Sequence, residues 1–256
     1  MRNGDWARTE IRALAGDNNL LCALKPKDFE LLLPNLGQTQ HLAGYVLYEP
    51  GDSVDYAYFP CRQALVSYRV MLPDGRGVET ALIGREGAIG GIVSQGSLPS
   101  YARALVQFEG QFLKVGAVQL ENLKKSSSSL NHLFARYADC LIAQVFQCTA
   151  CNATHSIEQR AAKWMLAALD RTGGDEALLT QEQLGGLLGV GRSYVSRVMR
   201  RLQRDGVLNT RRGRVFVARR TELEARSCRC NASVRDHFEE VLRGVYPVNG
   251  DEKRSA

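Results

Sequence analysis

The side chains with the clearest potential for chemistry lie in "CLIAQVFQCTACNATH", residues 140–155, which hold Cys140, Cys148, Cys151 and His155. On a helix turning about 100° per residue, Cys140 and Cys151 stand about 20° apart and Cys148 about 80° from the first. Cys148, Cys151 and His155 on one face could ligate zinc or hold a redox pair. Thiols on an apolar helix are more often small core residues, so packing is the preferred reading and no confident metal ligand follows. Cys228-x-Cys230 is spaced too closely for most metal sites and receives no role. A nucleophile built from Cys151 and His155 would lack an orienting acid, and no Walker-A, HExxH or GxSxG motif occurs. The chain does not read as an enzyme.

A second chemistry, polyanion binding, is written in "GVGRSYVSRVMRRLQRDGVLNTRRGRVFV", residues 189–217. Ten arginines fall between Arg192 and Arg220 against one acid, Asp205. In the preceding "LTQEQLGGLLGVG", Thr180 is a good N-cap whose capping-box partner is Gln183. Leu184, Leu187 and Leu188 line the inner face of a short helix, and Gly189-Val190-Gly191 makes a tight turn. The next helix buries Val195, Val198, Met199 and Leu202 and leaves its other faces polar and positive, as a helix-turn-helix requires. After Gly206, a short strand, a basic turn and a second strand read as the wing of a winged helix. Arg192, Ser193, Ser196 and Arg197 are the expected base readers, because arginine matches guanine O6 and N7 bidentately. Thr180, Arg200, Arg204, Arg211, Arg212 and Arg214 are the expected phosphate contacts, which position rather than specify.

Charge and composition agree with such a partner. The net charge is +6. Residues 1–155 hold 14 Lys+Arg and 14 Asp+Glu, whereas residues 156–256 hold 19 and 13, so the excess sits in the second part. Apolar content of 45% and charged content of 23% are those of a globular protein. The first residues contain no apolar run long enough for a signal peptide or membrane span, so no membrane association and a cytoplasmic location are expected. Seven scattered cysteines then read as reduced thiols.

The elements that must carry these residues follow from period and punctuation. From about Gln38 to Val118, short runs rich in Val, Leu, Tyr and Phe recur between Gly, Pro and Asp, which predicts a β sandwich or barrel. "LPDGRG", residues 72–77, is an expected hairpin turn. After "KKSSSS" a helix begins. Its Leu130, Phe134, Tyr137, Leu141 and Val145 step by four, three, four and four, a seam expected to join two copies of the chain. "SIEQRAAKWMLAALDRTGG" is another helix, opened by Ser156 with Gln159 and closed by Gly173-Gly174.

The chain resembles the Crp/Fnr transcription regulators most strongly at "LTQEQLGGLLGVGRSYVSRVMRRLQRDGVL", and further at "HSIEQRAAKWML" and "LYEPGD…DYAYFP". The resemblance implies an α+β architecture: an N-terminal β jelly-roll or barrel of the cyclic-nucleotide-binding type, a long central dimerisation helix and a C-terminal winged helix-turn-helix. The expected divisions are a sensor domain at 20–123, the central helix at 127–154, the DNA-binding domain at 155–230, and a C-terminal helix and tail at 231–256. It also implies a homodimer on near-palindromic double-stranded DNA, with RNA polymerase as a further partner.

Two departures stand out. Ser193 replaces the acid common in the family's Arg-Glu-x-x-x-Arg pattern, so the usual half-site is not assumed. In "IGREGAIGGIVSQGSLPSYARALV", Pro99-Ser100 stands where cyclic-AMP binders carry Arg-Ser, which argues against cyclic AMP and leaves the cofactor unknown. Arg85, Glu86, Gly87, Ser100 and Arg103 are the candidates for an effector pocket. The expected function is a sequence-specific regulator with effector sensing by its first domain. The alternative is a redox or metal sensor acting through Cys140, Cys148, Cys151 and His155.

Overall fold

The computed structural model describes residues 3–92, 98–211 and 213–243. Three short helices, α1 (Asn3–Ala15), α2 (Asn19–Cys22) and α3 (Pro26–Leu32), open the chain. Asn18 caps α2 by accepting from Leu21 N–H. Its buried amide donates to the carbonyls of Pro60 and Gly87, both at 2.9 Å, which ties this helical arm to the strand region.

Eight strands come next: β1 (Gly37–His41), β2 (Val46–Tyr48), β3 (Tyr56–Pro60), β4 (Leu65–Met71), β5 (Gly77–Ile83), β6 (Ile89–Gly90), β7 (Arg103–Phe108) and β8 (Gly110–Gly116). They form two antiparallel sheets, ordered β1-β8-β3-β6 and β2-β7-β4-β5. Val66, Ile83, Ala104, Val106 and Phe112 are buried in a common core, as alternation on pleated strands dictates. The expected hairpin at residues 72–77 joins β4 to β5. Gly75 there adopts φ 82° and Asp74 Oδ1 accepts from Arg76 N–H, the two things a tight turn needs.

The chain then turns helical through α4 (Ala117–Ser126), α5 (Ser128–Thr154) and α6 (Ile157–Thr172). Ser127 caps α5, so the serine run serves a helix start. Ser156 and Gln159 form the expected capping box of α6, and Gly173 closes it in the left-handed conformation. Beyond lie β9 (Glu176–Leu178), α7 (Gln181–Leu188), α8 (Arg192–Arg204), β10 (Leu208–Arg211), β11 (Arg214–Val217), α9 (Arg220–Arg226) and α10 (Cys230–Val241).

The stripe on α5 is corrected by the packing. Leu130, Phe134 and Tyr137 are fully buried within the chain itself, in one cluster with Phe59, Leu113, Val234 and Phe238. Leu141 is half-buried against the same cluster, so of the five expected seam residues only Val145 stays exposed. The four-and-three spacing marks a face that is covered, and here the cover is the β sandwich on one side and α10 on the other. The exposed apolar side chains of α5 are Ile142, Val145 and Phe146, at 49%, 37% and 70% exposure.

The second half of the chain is locked to the first at β5. Trp164 of α6 is buried edge-on to Phe108 and its indole N–H donates to both carboxylate oxygens of Glu79, at 2.9 and 3.1 Å. Arg69, Lys163 and Arg171 face the same carboxyl group. Burial nevertheless dominates and pushes the Glu79 pKa up to about 7, against an ordinary 4.5. The folded chain therefore holds a proton here that the unfolded chain releases, so stability falls as pH rises from about 4.5 to about 7. Glu79→Gln keeps an acceptor for Trp164 and removes the titration. It should flatten that part of the stability–pH curve and raise Tm above pH 7 by about 2–4 °C, the shift that ~1 kcal/mol gives in a chain of this size. Thermal melts at pH 5, 6, 7 and 8 check this; parallel curves for both proteins would refute it.

Candidate nucleic-acid interface

The basic segment folds as two helices across a tight turn, followed by a three-stranded sheet in the order β10-β11-β9. Thr180 and Gln183 form a reciprocal cap on α7, with Thr180 Oγ1 accepting from Gln183 N–H at 3.1 Å and Gln183 Oε1 from Thr180 N–H at 2.8 Å. Gly189 ends α7 at φ 70°, and Val190 N–H returns to the Gly185 carbonyl at 2.9 Å. The helices approach so closely that a Cβ on Gly185 would lie 2.9 Å from the Val190 carbonyl oxygen. The buried guanidinium of Arg160 donates to the Leu188 carbonyl at 3.0 Å, satisfying one of the orphan acceptors at that helix end.

One face of α8 is fixed to this scaffold: Val195, Val198, Met199 and Leu202 are buried with Leu184, Leu187 and Leu188. The rest is solvent-facing and carries Arg192, Arg197, Arg200, Arg201 and Arg204 with no acid on the helix. Arg192 and Ser193 open the helix, exposed, and Ser196 is half-buried one turn on. Arg192 stands 4.0 Å from Glu182, a loose and fully hydrated pair that contributes little. Arg197 lies over the exposed ring of Tyr194, 5.0 Å from its centroid. Tyr194 is not among the residues that sequence reasoning singles out; its one signal is an aromatic on the polar face of a basic helix.

The expected phosphate contacts divide. Thr180, Arg200, Arg204 and Arg211 are exposed. Arg200 donates to the Ser196 carbonyl at 3.3 Å, and Arg204 meets Asp205 at 3.4 Å. Asp205 is also paired with Arg226 at 2.7 Å, which holds its carboxyl below the usual range. Arg214 is committed within the wing sheet to Glu176 at 2.5 Å, so it is less available than its spacing suggests. Arg212 lies outside the described residues.

The five effector candidates do not converge on one constellation. Arg85, Glu86 and Gly87 serve the junction with α5 and α6. Arg85 N–H donates to the Arg171 carbonyl, Glu86 pairs with Arg171 at 2.9 Å, and a Cβ on Gly87 would fall within the Tyr137 ring. Ser100 donates to the Ala102 carbonyl and Arg103 pairs with Glu49, both on the sandwich. The thiols are rearranged more thoroughly. Cys140 is core, and Cys148 is turned toward the Glu79 carbonyl at 3.5 Å. Cys151 and His155 instead meet Cys228 and Cys230, the pair with no expected role.

Among the described residues no helix is long and apolar enough to cross a membrane. Residues 159–226 match the model of the Crp-like helix-turn-helix domain. Solved structures with the same fold include FixK2 from Bradyrhizobium japonicum, at 17% identity and TM-score 0.65, covering 75% of this chain and 98% of that one. They also include TTHB099, a CRP-family transcriptional regulator from Thermus thermophilus, at 20% and 0.62, covering 74% and 96%. A third is the c-di-GMP-responsive global regulator CLP of Xanthomonas campestris, at 16% and 0.61, covering 75% and 99%. No curated protein matches the chain in sequence.

Two neighbouring glycines of α7 should behave oppositely. Gly185→Ala forces a methyl group against the turn and should cost about 1–3 kcal/mol. Gly186→Ala meets nothing within 4 Å and should stabilise by ~0.5–1 kcal/mol, as alanine does in an open helix position. Urea unfolding of both variants reads this, and equal midpoints would show that the helices are not in close contact.

Proposed function

We propose that the chain acts as a homodimeric, sequence-specific regulator on near-palindromic double-stranded DNA. Residues 159–226 match a Crp-like helix-turn-helix domain, on a chain with the fold of the Crp/Fnr transcription regulators. The observation that carries this reading is α8: one apolar face locked to a scaffold, and a polar face with five arginines and no acid. A helix of that kind enters the major groove and reads base edges. Arg192, Ser193, Ser196 and Arg197 take that role, with Tyr194 supporting Arg197 from below. Thr180, Arg200, Arg204, Arg211 and Arg212 grip phosphates, and Arg214 contributes less while Glu176 holds it. The reading is of a cytoplasmic regulator rather than an enzyme, with RNA polymerase as a partner and an effector sensed by the β sandwich.

The two copies would meet along the exposed stripe of α5 that Ile142, Val145 and Phe146 define, since the expected seam is spent inside the chain. Ile142→Asp with Phe146→Asp places two charges on that stripe without touching the buried face. The double variant should run as a monomer at micromolar concentration in analytical ultracentrifugation, with a Tm that no longer rises with protein concentration. A dimer that survives it would move the interface elsewhere.

Selection of bound duplexes from a random library, at near-physiological salt, tests the DNA reading directly. The expected product is an inverted repeat with half-site centres about 34 Å apart. On that site, Arg197→Ala should relax one base position at a cost of about 1–3 kcal/mol, and Arg211→Ala should weaken all sequences alike with a salt slope reduced by about 1. A purified dimer that enriches nothing over random duplex would overturn sequence-specific recognition.

A further inference from the structure

The cluster of Cys151, His155, Cys228 and Cys230 is absorbed by neither the DNA-binding face nor the α5 stripe. Their ligand atoms all lie within 4.8 Å of one another. Cys151 Sγ is 3.6 Å from Cys228 Sγ, and Cys230 Sγ is 3.6 Å from His155 Nδ1. A tetrahedral zinc ion with bonds of about 2.3 Å to sulfur and 2.0–2.1 Å to nitrogen separates its ligands by about 3.8 Å (S to S) and 3.6 Å (S to N). The two observed distances match those edges before any ion is placed. An iron–sulfur cluster would require the four atoms to stand around several irons.

The surroundings are those of a site and not of a packed apolar corner. The three cysteines are buried and form a cluster of their own, apart from the main cores. Gln147 Nε2 donates to Cys230 Sγ at 3.1 Å, an outer hydrogen bond of the kind that orients thiolate ligands. Cys230 is the first residue of α10, where the helix dipole favours a thiolate. Arg229, at φ −76° and ψ 3°, bends the chain so that Cys228 and Cys230 turn toward the same point despite a spacing of one residue. Lys163 of α6 lies close enough to act on the charges of Cys151 and Cys228, and would offset the single negative charge of three thiolates, a neutral imidazole and a divalent ion.

We propose that Cys151, His155, Cys228 and Cys230 bind one zinc ion tetrahedrally, and that the ion clamps the C-terminal end of α5 to the start of α10. Binding as thiolates releases the protons of the three thiols. His155 is the C-cap of α5 and Ser156 the N-cap of α6, so the clamp closes over the joint at which the central helix hands over to the helix-turn-helix. The set replaces the expected one: Cys148 gives way to two cysteines more than 70 residues further along the chain.

The test uses the full chain, purified without a polyhistidine tag or chelator, under reductant, from zinc-replete cells. About one zinc per chain is expected by mass-spectrometric metal analysis. Exchange for Co(II) should give a thiolate charge-transfer band and the intense visible bands of a tetrahedral ion. Cys228→Ser and Cys230→Ser should each weaken metal binding by more than the 10–100-fold that loss of an outer hydrogen bond typically costs. Cys148→Ser, one turn away and outside the cluster, should leave it unchanged. Should the serine variants fail to fold, the Co(II) spectrum of the unaltered chain decides alone. Reduced protein with all thiols titratable that takes up neither zinc nor Co(II) would overturn the proposal. So would an octahedral Co(II) spectrum, or a Cys148→Ser variant that loses the metal.

Discussion

The arrangement of the two halves of this chain depends on one buried cation, Arg171. Its guanidinium pairs with Glu86 at 2.9 Å and donates to the Leu82 carbonyl at 2.9 Å, both on the β sandwich. It also reaches the Ala167 carbonyl of its own helix and the Asn231 side chain of α10, each at 3.2 Å. A cation removed from water is tolerated only where its donors are met, and these partners come from three elements far apart in sequence. Moving any one of them strands a charge. The geometry of the sandwich, α6 and α10 is therefore specified together, and Glu79 with Trp164 repeats the same logic on the neighbouring strand.

That constraint explains why the helix-turn-helix is legible from sequence while its docking is not. Caps, a left-handed glycine and a three-and-four apolar rhythm act over a few residues. Thr180 with Gln183, Gly189, and the row Val195, Val198, Met199 and Leu202 carry their own reasons wherever the domain sits. Arg171 and Glu79 belong to a different class. Each reads in sequence as an ordinary charge on an amphipathic element, and only the contact between domains turns it into a buried one. The Gly-rich stretch at residues 84–91 reads as an effector cassette for the same reason. Its glycines make room for Tyr137 and for close backbone contact with Tyr56, which no local pattern announces.

The α5 stripe and the cysteines show two limits of periodicity. A repeat of four and three says that a face is covered and is silent on the cover. Leu130, Phe134 and Tyr137 have the spacing of an intermolecular seam and spend it on the chain's own sandwich and α10, leaving the neighbouring stripe to Ile142, Val145 and Phe146. Spacing within one helix likewise selects Cys148 beside Cys151. The partners that the chemistry needs are supplied by the return of α10 along α5, a long-range contact. The signal that remains in the sequence is the count, three cysteines and one histidine in two short segments, and it becomes readable only once those segments are known to meet.

These contacts converge on a short joint, His155–Ser156, where α5 ends and α6 begins. The β sandwich holds the far end of α6 through Arg171 and its middle through Trp164. Cys228 and Cys230, which follow α9 in the chain, reach the joint from the start of α10. Strand β5 also meets the helix-turn-helix directly: α7 packs against it, with Val78 beside Gly189 at the turn. Recognition helices are tuned by small rotations of their domain, and a domain held by several such contacts rotates only when some of them give way. Of these contacts, Arg171 is buried and hydrogen-bonded through Nε and Nη1, and Trp164 packs edge-on to Phe108. The thiol cluster, with the metal proposed for it, would be the one of these contacts whose strength depends on metal supply and on the oxidation state of its thiols.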